Sequence, residues 1–337
     1  MTAGSGGLTV EKYQTLGNCY LLLDPARNGM AGDELPALAV VRRLCDPHLG
    51  IGSDGLLVGP ERRADGRFGL RILNSDGSRA EFSGNGSRIF ARYLFDAGYA
   101  ERRAGITVVA EDGGEVRLDA ALMGASAEDP IATEMAAPLR IGPEAVGARP
   151  GHVAPNGDLF TVPALAEAGR GLFGRDDWTR SLLLSIGNPH CVTLVETMAA
   201  LPSYDALRAA APELARVADA PAPGEAPGTF ARGTFARGCN LQWAFAESRT
   251  RLHLRIVERG EGPTLASGSS ASAAAIAARH CGLVDRDLTV AMPGGDLPVR
   301  LAEDADGRLS IRLTAPVARI ATCRLHGRAG QDAMVGI

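Results

Sequence analysis

Two stretches of the chain share one pattern, with a serine at the same place in each: Asn74-Ser-Asp-Gly-Ser-Arg-Ala-Glu-Phe-Ser-Gly-Asn-Gly86 and Glu258-Arg-Gly-Glu-Gly-Pro-Thr-Leu-Ala-Ser-Gly-Ser-Ser270. Each reads as a strand end, a turn and Ser-Gly, and each runs into a helical pattern, at 87–98 and at 271–281. The second helix is rich in alanine and is stopped by Gly282. A chain that repeats such a unit is predicted to form two related lobes.

Short apolar runs typical of strands fill much of the remaining sequence. They lie at 20–24, 56–58, 69–73, 105–110, 115–118, 182–185, 241–245, 252–257, 288–292, 297–301 and 309–313. Gly-Gly or Asp-Gly steps at 112–114, 294–295 and 306–307 predict hairpin turns, so most strand pairs are expected to be antiparallel. The sequence therefore predicts an α+β fold of two pseudo-symmetric lobes, each with a central helix, over residues 1–122 and 123–323.

Composition excludes several classes of function. The 337 residues correspond to roughly two domains at ~150 residues each, and a formal net charge of −4 supplies no basic field for nucleic acid. Apolar runs are far shorter than the ~20 residues that span a bilayer, and the first residues lack the basic start and apolar core of a secretory signal. We therefore expect no membrane segment, a cytoplasmic location, and six cysteines that are small buried thiols without metal-ligand spacing.

The Ser-Gly turns at Ser83 and Ser267 predict anion binding. A helix that begins at such a turn directs backbone N–H groups and the positive end of its dipole at one spot. Two such spots facing each other would hold a carboxylate between the two serines. A lone glycine-rich turn is more often only a turn, but this one occurs twice among polar and charged neighbours, which are Asn74, Arg88, Glu258 and Arg259.

Eight short motifs, in the order in which a known family has them, extend this pattern over most of the chain. They are Leu16-Gly17-Asn18, Gly50-Ile-Gly-Ser-Asp-Gly55, Asn74-Ser-Asp-Gly-Ser, Gly84-Asn85-Gly86-x-Arg88, Gly187-Asn188-Pro189-His190-Cys191, Gly238-Cys239-Asn240, Glu258-Arg259-Gly260-x-Gly262-x-Thr264 and Pro293-Gly294-Gly295. On these residues the sequence resembles the diaminopimelate epimerases.

The resemblance implies a fold in which each lobe is a sheet curled around its central helix. It places the substrate in the cleft between the lobes and returns the last residues, about 324–337, to the first lobe. It also implies epimerisation at the α-carbon of an amino acid without pyridoxal phosphate or a metal, so no cofactor is expected. In the family one of two facing cysteines removes the α-proton, and the other returns a proton to the opposite face. The implied partner is a small amino acid, with diaminopimelate, an intermediate toward lysine and the bacterial wall, as the leading substrate.

Carried over residue by residue, the motifs imply the binding contacts. Gly84-Asn85 and Gly268-Ser269 would hold the carboxylate of the reacting centre, where negative charge builds as the proton leaves. The far end of the substrate would be bound by Asn18, Asn74, Asn188, Asn240, Glu258 and Arg259, with Arg259 on its carboxylate and Glu258 on its ammonium. Any one amide is equally explained as a loop hydrogen bond, but together with an Arg–Glu pair they favour a polar, doubly charged ligand.

Both positions that carry the catalytic cysteines in the family are serine in this chain, Ser83 and Ser267. A thiol has a pKa of ~8.5 that a helix N-terminus lowers easily, whereas an alcohol forms almost no alkoxide without a strong base beside it. We therefore expect that two-thiol epimerisation does not run in this chain. If the serines are native, the motifs offer His190 and Glu258 as bases, although a histidine after Asn-Pro also fits a role in positioning the Asn188 loop.

Four interpretations of the serines stay open. An engineered double Cys→Ser change would leave an otherwise conventional site, whereas a natural serine branch is supported by two further differences from the family pattern, Phe82 and Ser270. A one-sided base would instead suit a lyase or another isomerase that acts on a different polar amino acid in a specialised biosynthetic pathway. A protein that keeps the binding cleft without catalysis is the non-enzymatic alternative. The sequence does not decide whether the chain pairs as a homodimer.

Overall fold

The computed structural model describes residues 7–31, 34–80, 83–101, 105–110, 117–122, 124, 129–136, 139–149, 151–219, 234–303 and 309–325. The chain forms two compact units: unit 1 comprises Met1–Met135 and Thr314–Ile337, and unit 2 comprises Ala136–Leu313. Phe82 and the turns expected at 112–114 and 306–307 lie outside the described residues.

Unit 1 is built on a mixed sheet whose hydrogen-bonded order is β19-β1-β2-β3-β4-β5-β6-β7. The pairs β2–β3 and β4–β5 are parallel, and the other pairs in this order are antiparallel. Its strands are β1 (Thr9–Thr15), β2 (Asn18–Leu23), β3 (Gly55–Arg62), β4 (Phe68–Asn74), β5 (Ile106–Ala110), β6 (Arg117–Leu122), β7 (Ile131–Ala136) and the C-terminal β19 (Ala318–Arg324).

Helix α2 (Gly84–Asp96) is the central element of unit 1. Every residue from Gly84 to Phe95 is buried, and the helix contacts β1, β2, β3, β4, β5 and β6, so the sheet curls around it. Gly86 permits this approach, because a Cβ there would lie 3.1 Å from the Leu57 side chain and 3.2 Å from that of Ser83. The residues beside Leu57 on its strand point to the other face. There Leu56 and Val58 share a buried core with helix α1 (Leu38–Cys45).

Unit 2 contains a second mixed sheet with the main order β11-β12-β13-β14-β16-β17-β18. Its longer strands are β11 (Ser181–Ser185), β12 (Pro189–Leu194), β13 (Asn240–Ser248), β14 (Arg251–Glu258), β16 (Asp287–Met292), β17 (Gly295–Glu303) and β18 (Leu309–Ala315), the last of which ends beyond the unit boundary. Short strands at its margins are β8 (Arg140–Ile141), β9 (Ala154–Asn156), β10 (Leu159–Thr161) and β15 (Gly262–Thr264).

Helix α6 (Gly268–His280) takes the central place in unit 2, against β11, β12, β13, β14, β16 and β17. Its residues from Gly268 to Ala278 are all buried, and the small alanine side chains let strands approach the helix closely on all sides. The opposite face of the sheet is covered by α3 (Pro163–Phe173), α4 (Tyr204–Ala209) and α5 (Ala211–Ala218). In this second core the rings of Trp178 and Trp243 lie 4.7 Å apart, centroid to centroid.

The two units repeat one pairing scheme. In unit 1 the successive pairs from β1 to β7 are antiparallel, parallel, antiparallel, parallel, antiparallel and antiparallel. The successive pairs from β11 to β18 follow the same sequence. In each unit the central helix lies in the connection between the strands of the second parallel pair. Helix α2 lies between β4 and β5, and α6, after the short β15, lies between β14 and β16. The predicted α+β fold of two pseudo-symmetric lobes is therefore confirmed.

The unit boundaries differ from the lobe boundaries expected at 122/123 and 323/324. Strand β6 forms an antiparallel pair with β7, with Ala120 opposite Thr133, so unit 1 extends through that hairpin to Met135. The return of the chain to unit 1 begins at Thr314, because β19 pairs with β1 along its length.

The six cysteines are free thiols, as expected, but only Cys45, Cys191 and Cys239 are buried. The expectation of burial is wrong for the other three, which are partly exposed; Cys281, for example, follows α6 at the end of the helix. None of the helices in the described part of the chain is long and apolar enough to cross a membrane.

Candidate active site

Ser83 is the N-cap residue of α2. Its backbone is extended (φ −141°, ψ 115°), and its Oγ accepts hydrogen bonds from the N–H of Gly86 at 3.0 Å and from the Tyr20 hydroxyl at 3.2 Å. Protein donors thus fill both acceptor positions of the hydroxyl, and its own hydrogen points elsewhere. The first N–H groups of the helix and the positive end of its dipole meet at the same spot.

Asn85 and Asn18 lie together at this N-terminus. The Asn85 Nδ2 donates to Asn18 Oδ1 at 3.1 Å, and the Asn85 Oδ1 accepts a short hydrogen bond from the Arg88 guanidinium. Asn18 in turn donates through Nδ2 to Asp54 Oδ2 at 2.8 Å, and the same carboxylate accepts from the N–H of Cys19 at 2.7 Å. The structure therefore brings the predicted ligands Asn18 and Asn85 to the N-terminus that Ser83 caps. Asp54 holds the amide of Asn18, and Arg88 holds the amide of Asn85.

Asn74 ends β4 and closes the turn that follows it. Its Nδ2 donates to Ser78 Oγ at 2.9 Å, its N–H donates to Ser78 O at 2.8 Å, and its carbonyl accepts from the N–H of Gly77 at 2.9 Å. These contacts are those of a turn residue, and the substrate contact expected of Asn74 stays a prediction.

Ser267 is the N-cap residue of α6 and repeats the geometry of Ser83. Its backbone is extended (φ −146°, ψ 129°), and its Oγ accepts from the N–H of Ser270 at 3.3 Å. The Ser269 hydroxyl lies 3.3 Å from it. Ser267 is only 6% exposed, so a ligand at this N-terminus meets a site that already excludes most water.

His190 is fully buried and connects two amides. Its Nε2 lies 2.8 Å from the amide of Asn188, and its Nδ1 lies 3.0 Å from the amide of Gln242. The Asn188 amide continues to Ser269 Oγ at 3.5 Å. Burial, with the positive charge of Arg259 as a smaller cause, lowers the pKa of His190 to about 3, so the imidazole is neutral at pH 7. Two predicted ligands, Asn188 and Ser269, are thus linked through this part of unit 2.

Asn240 and Arg259 form a second polar pair in unit 2. The Asn240 Oδ1 accepts from the backbone N–H of Arg259 at 3.0 Å, and the Arg259 Nη1 donates to the carbonyl of Arg237 at 2.7 Å. Glu258 is the last residue of β14, opposite Gly262 of β15. The end of β14 thus carries a carboxylate and a cation at consecutive positions, both predicted to bind the far end of the substrate.

Neither serine has a strong base beside it within the described residues. The hydrogen-bond partners of Ser83 are a backbone N–H and a phenol, and those of Ser267 are a backbone N–H and a hydroxyl. His190 contacts the amides of Asn188 and Gln242, and its role in positioning the Asn188 loop stays a prediction. The described residues can bind an anion at each N-terminus, and none of them is placed to ionise either hydroxyl.

Tyr20 and Gln242 are site residues that the sequence reasoning missed. Tyr20 lies in an apolar run that predicts only a strand, although its hydroxyl donates to Ser83. Gln242 carries a signal, since it is a polar residue between Leu241 and Trp243 in a strand whose start is fully buried. A buried amide requires hydrogen-bond partners, so its place in an apolar strand indicates that Gln242 belongs to a polar network.

The described residues contain no group of three or more histidine, cysteine, aspartate or glutamate side chains that could hold a metal ion.

The comparisons with known proteins agree with this arrangement. A model of the diaminopimelate epimerase family matches residues 10–123 and 182–317. The diaminopimelate epimerase of Desulfitobacterium hafniense is 34% identical, over 93% of this chain and 96% of the relative. Diaminopimelate epimerase 2 of a Nostoc species is 32% identical, over 92% of this chain and 93% of the relative.

Two solved structures show the same fold at low sequence identity. A hydroxyproline epimerase from Agrobacterium vitis, with bound trans-4-hydroxy-L-proline, has a TM-score of 0.60 at 11% identity, over 99% of both chains. A phenazine biosynthesis protein from Bacillus anthracis has a TM-score of 0.57 at 12% identity, over 95% of this chain and 99% of the other. With the sequence relatives, these findings show that the chain belongs to the diaminopimelate epimerase family of isomerases.

Proposed function

We propose that this protein belongs to the cofactor-independent amino-acid epimerases that act on diaminopimelate or on a similarly doubly charged amino acid, and that its proton-transfer step requires thiols at positions 83 and 267. The observation that carries the proposal is the pair of matched helix N-termini, each capped by a serine at the position where the family resemblance places a catalytic cysteine. In this form the site binds its ligand but does not exchange the α-proton.

Carboxylate binding follows from the two N-termini. Each first turn presents backbone N–H groups without helical partners, and each carries the positive end of a 13-residue helix dipole. When the α-proton leaves, negative charge spreads onto the carboxylate oxygens, and fixed donors stabilise that charge more than they stabilise the ground state. Gly84, Asn85, Gly268 and Ser269 take this role in the proposal.

Recognition of a second charged head follows from the end of β14. Arg259 is held there by its Nη1 on the Arg237 carbonyl and by its N–H on Asn240, next to Glu258. A cation and a carboxylate at neighbouring positions suit a group that has both a carboxylate and an ammonium, whereas an apolar side chain offers a partner to neither charge. This argument supports diaminopimelate over short or apolar amino acids.

Loss of proton exchange follows from the chemistry of the hydroxyl. The family reaction needs one group that takes a proton and another that gives one, on opposite faces of the α-carbon. A thiol at a helix N-terminus ionises near neutral pH, but an alcohol whose hydrogen-bond partners are only N–H and O–H groups does not. Ser83 and Ser267 both have such partners.

The test compares the serine form with the Ser83→Cys/Ser267→Cys variant. Both are incubated with LL-diaminopimelate in D₂O, and α-deuterium and chirality are followed by NMR, while binding is measured by titration calorimetry. The matched control is Ser272→Cys, which places a thiol on the same α6 but one turn inside the helix, where the Ser272 hydroxyl donates to the Gly268 carbonyl at 2.8 Å.

We expect both forms to bind the ligand and only the double-cysteine variant to exchange and epimerise it. Exchange by the serine form would show a distinct serine-based chemistry and contradict the proposal. Binding without exchange in either form would favour the second candidate, a non-catalytic amino-acid-binding protein. The hydrogen-bond partners of the two serines, which among the described residues are N–H and O–H groups, also fit this candidate. No binding in either form would exclude this ligand.

A further inference from the structure

A buried line of side chains in unit 2 ends at Ser267. The Gln242 amide lies 3.0 Å from both Ser270 Oγ and His190 Nδ1. From His190 the line continues through the amide of Asn188, 2.8 Å from Nε2, to Ser269 Oγ at 3.5 Å and from there to Ser267 Oγ at 3.3 Å. These side chains are at most 8% exposed, so the protein itself determines the direction of each hydrogen bond.

The Gln242 amide is satisfied in only one orientation. On one side it faces two backbone carbonyls, those of Asn240 and Cys191, each at 3.2 Å. On the other side it faces the Ser270 hydroxyl and His190 Nδ1. Carbonyls only accept, so the Gln242 Nε2 must donate to them, and its Oε1 then accepts from Ser270 and from His190 Nδ1. His190 therefore carries a hydrogen on Nδ1.

The neutral state of His190 determines the orientation of Asn188. An imidazole with one hydrogen, on Nδ1, has a bare lone pair on Nε2, and the group 2.8 Å from that lone pair must be a donor. The structure places the Asn188 Oδ1 toward His190 and the Nδ2 toward Ser269. With the hydrogen on Nδ1, the amide must be turned by 180°, so that Nδ2 donates to His190 and Oδ1 accepts from Ser269. The opposite amide orientation would need a hydrogen on both ring nitrogens, which a fully buried imidazole near the cationic Arg259 does not retain.

The direction continues to the candidate acid/base residue. Because Ser269 donates to Asn188, it accepts from Ser267, whose Oγ also accepts from the N–H of Ser270. The Ser267 hydroxyl hydrogen is thus directed into the protein, and what it offers to a ligand is a lone pair. Ser83 is the reverse case, since Tyr20 and Gly86 fill its lone pairs.

We propose that Gln242 is a positioning residue, which fixes the tautomer of His190 and so makes residue 267 a hydrogen-bond acceptor toward the ligand, while residue 83 is a donor. That residues 267 and 83 are acid/base residues rests on the proposed function. The tautomer of His190 does not depend on that function.

In the serine form, acceptor and donor are the hydrogen-bond roles of two protonated hydroxyls. A two-thiol epimerase instead begins each turnover with one ionised and one protonated thiol, and hydrogen bonds donated to a thiol favour its ionised form. This line of hydrogen bonds, which offers no donor side chain to residue 267, would therefore keep residue 267 protonated and favour residue 83, with Tyr20 and Gly86 as donors, as the base.

The first test reads the tautomer directly. Long-range ¹H–¹⁵N spectra of the ¹⁵N-labelled full chain distinguish protonated from bare ring nitrogens, and His190→Gln identifies the His190 signals. We expect neutral His190 with hydrogen on Nδ1 between pH 6 and 8. Hydrogen on Nε2 in the unaltered protein would overturn the proposal. This measurement needs no variant at residue 242, so the proposal can be refuted even if those variants do not fold.

The variants then separate positioning from mere packing. Gln242→Met keeps the side-chain length but has no acceptor, and we expect the hydrogen to move to Nε2. Gln242→Glu keeps an oxygen facing Nδ1 and should restore the Nδ1 tautomer. Ser270→Ala is the matched control, because the two carbonyls alone still orient Gln242. An unchanged tautomer in Gln242→Met would overturn the proposal.

A kinetic readout completes the test in the Ser83→Cys/Ser267→Cys background. We expect Gln242→Met to lower kcat for α-deuterium uptake about tenfold or more, while KM changes less than threefold. Equal kcat values would overturn the role of Gln242 at residue 267. If the double-cysteine protein shows no exchange at all, the proposed function fails, and the spectra still decide the tautomer.

Discussion

Arg88 is a buried cation next to the N-terminus of α2. Its side chain is fully buried, and one of its N–H groups donates to Asn85, whereas Nε and Nη1 have no hydrogen-bond partner among the residues that the structure describes. Burial lowers the pKa of Arg88 to about 10, so the guanidinium keeps its charge at pH 7. The positive charge adds to the field of the helix N-terminus, and the hydrogen bond fixes the amide of Asn85.

Replacing Arg88 by methionine should weaken ligand binding without unfolding the protein. A hydrogen bond to a charged group contributes about 1.5–3 kcal/mol, so we expect the Kd for diaminopimelate to rise about tenfold or more in Arg88→Met. The two unpartnered N–H groups are removed as well, so the midpoint of thermal unfolding should change little.

The control is Arg92→Met, one turn further along α2. Arg92 forms an ion pair with Asp96 at 2.9 Å, and it should affect stability rather than affinity. Calorimetric titration and thermal unfolding of both variants check the contrast. An Arg88→Met protein that binds as tightly as the unaltered chain would show that Arg88 has no influence on the site.

His190 should make stability depend on pH. Its pKa is about 3 in the folded protein and about 6.5 when unfolded, so the unfolded chain binds the additional proton. Stability is therefore fully present above pH 6.5 and is lost toward pH 3, by about 1.4 kcal/mol per pH unit. Urea unfolding of the unaltered protein and of His190→Gln at pH 7, 6, 5 and 4 tests this, because the difference between the two isolates one titrating group. Parallel curves would show that the imidazole is not buried in its neutral form.

The residues that cap the two central helices, Ser83 and Ser267, are also the candidate acid/base residues. The Ser83 and Ser267 hydroxyls each accept a hydrogen bond from an N–H in the first turn, at 3.0 and 3.3 Å. A thiol is a weaker acceptor, and loss of an N-cap costs about 0.5–2 kcal/mol. We therefore expect Ser83→Cys/Ser267→Cys to lower the free energy of unfolding by about 1–3 kcal/mol, even where it restores proton exchange.

Two single substitutions give the reference for this measurement. Ser203→Cys removes the N-cap of the short α4, where the hydroxyl accepts from Ala206 at 3.1 Å, and should cost stability without affecting ligand binding. Ser272→Cys alters a residue inside α6 and should leave the cap intact. Urea unfolding of all three proteins provides the comparison. If the double variant were as stable as the serine form, the caps would contribute nothing at these N-termini.

The sequence predicted those elements that carry a clear pattern. The apolar runs at 241–245 and 252–257 lie within β13 and β14. Both central helices follow the Ser-Gly turns as predicted, but they begin at Gly84 and Gly268, three residues before the predicted starts at 87 and 271. By contrast, no strand was predicted for β19, because no residue between Ala318 and Arg324 is buried and an edge strand of this kind shows no alternation. Helix α3 was missed because alanine and glycine dominate Pro163–Phe173, so its few buried residues form no strong periodic pattern.

The site was predictable residue by residue but not as a network. Its glycines, serines and amides lie in recognisable motifs, so the sequence predicts Asn18 and Asn85 as site residues, and the structure shows them hydrogen-bonded to each other. The line from Gln242 to His190 depends on the parallel register of β12 and β13, which places Asn240 opposite His190. In sequence these strands are separated by all of α4 and α5 and by the connection from 219 to 239. A single sequence contains no information on a register between strands so far apart.

The C-terminal strand should be essential to unit 1, although it is far in sequence from the other strands of that unit. Strand β19 is the second neighbour of β1; Arg319 pairs with Glu11 at 2.7 Å, and the Pro316 carbonyl accepts from Thr15 at 2.8 Å. Removing residues 316–337 leaves one edge of β1 without partners, so we expect at least tenfold faster amide exchange in β1. Exchange in β13 and β14 should not change, because those strands pair within unit 2.

A chain that ends at Leu325 keeps β19 and is the control. Hydrogen–deuterium exchange with peptide resolution checks this, and equal protection of β1 in both truncated chains would contradict the pairing that closes the first unit.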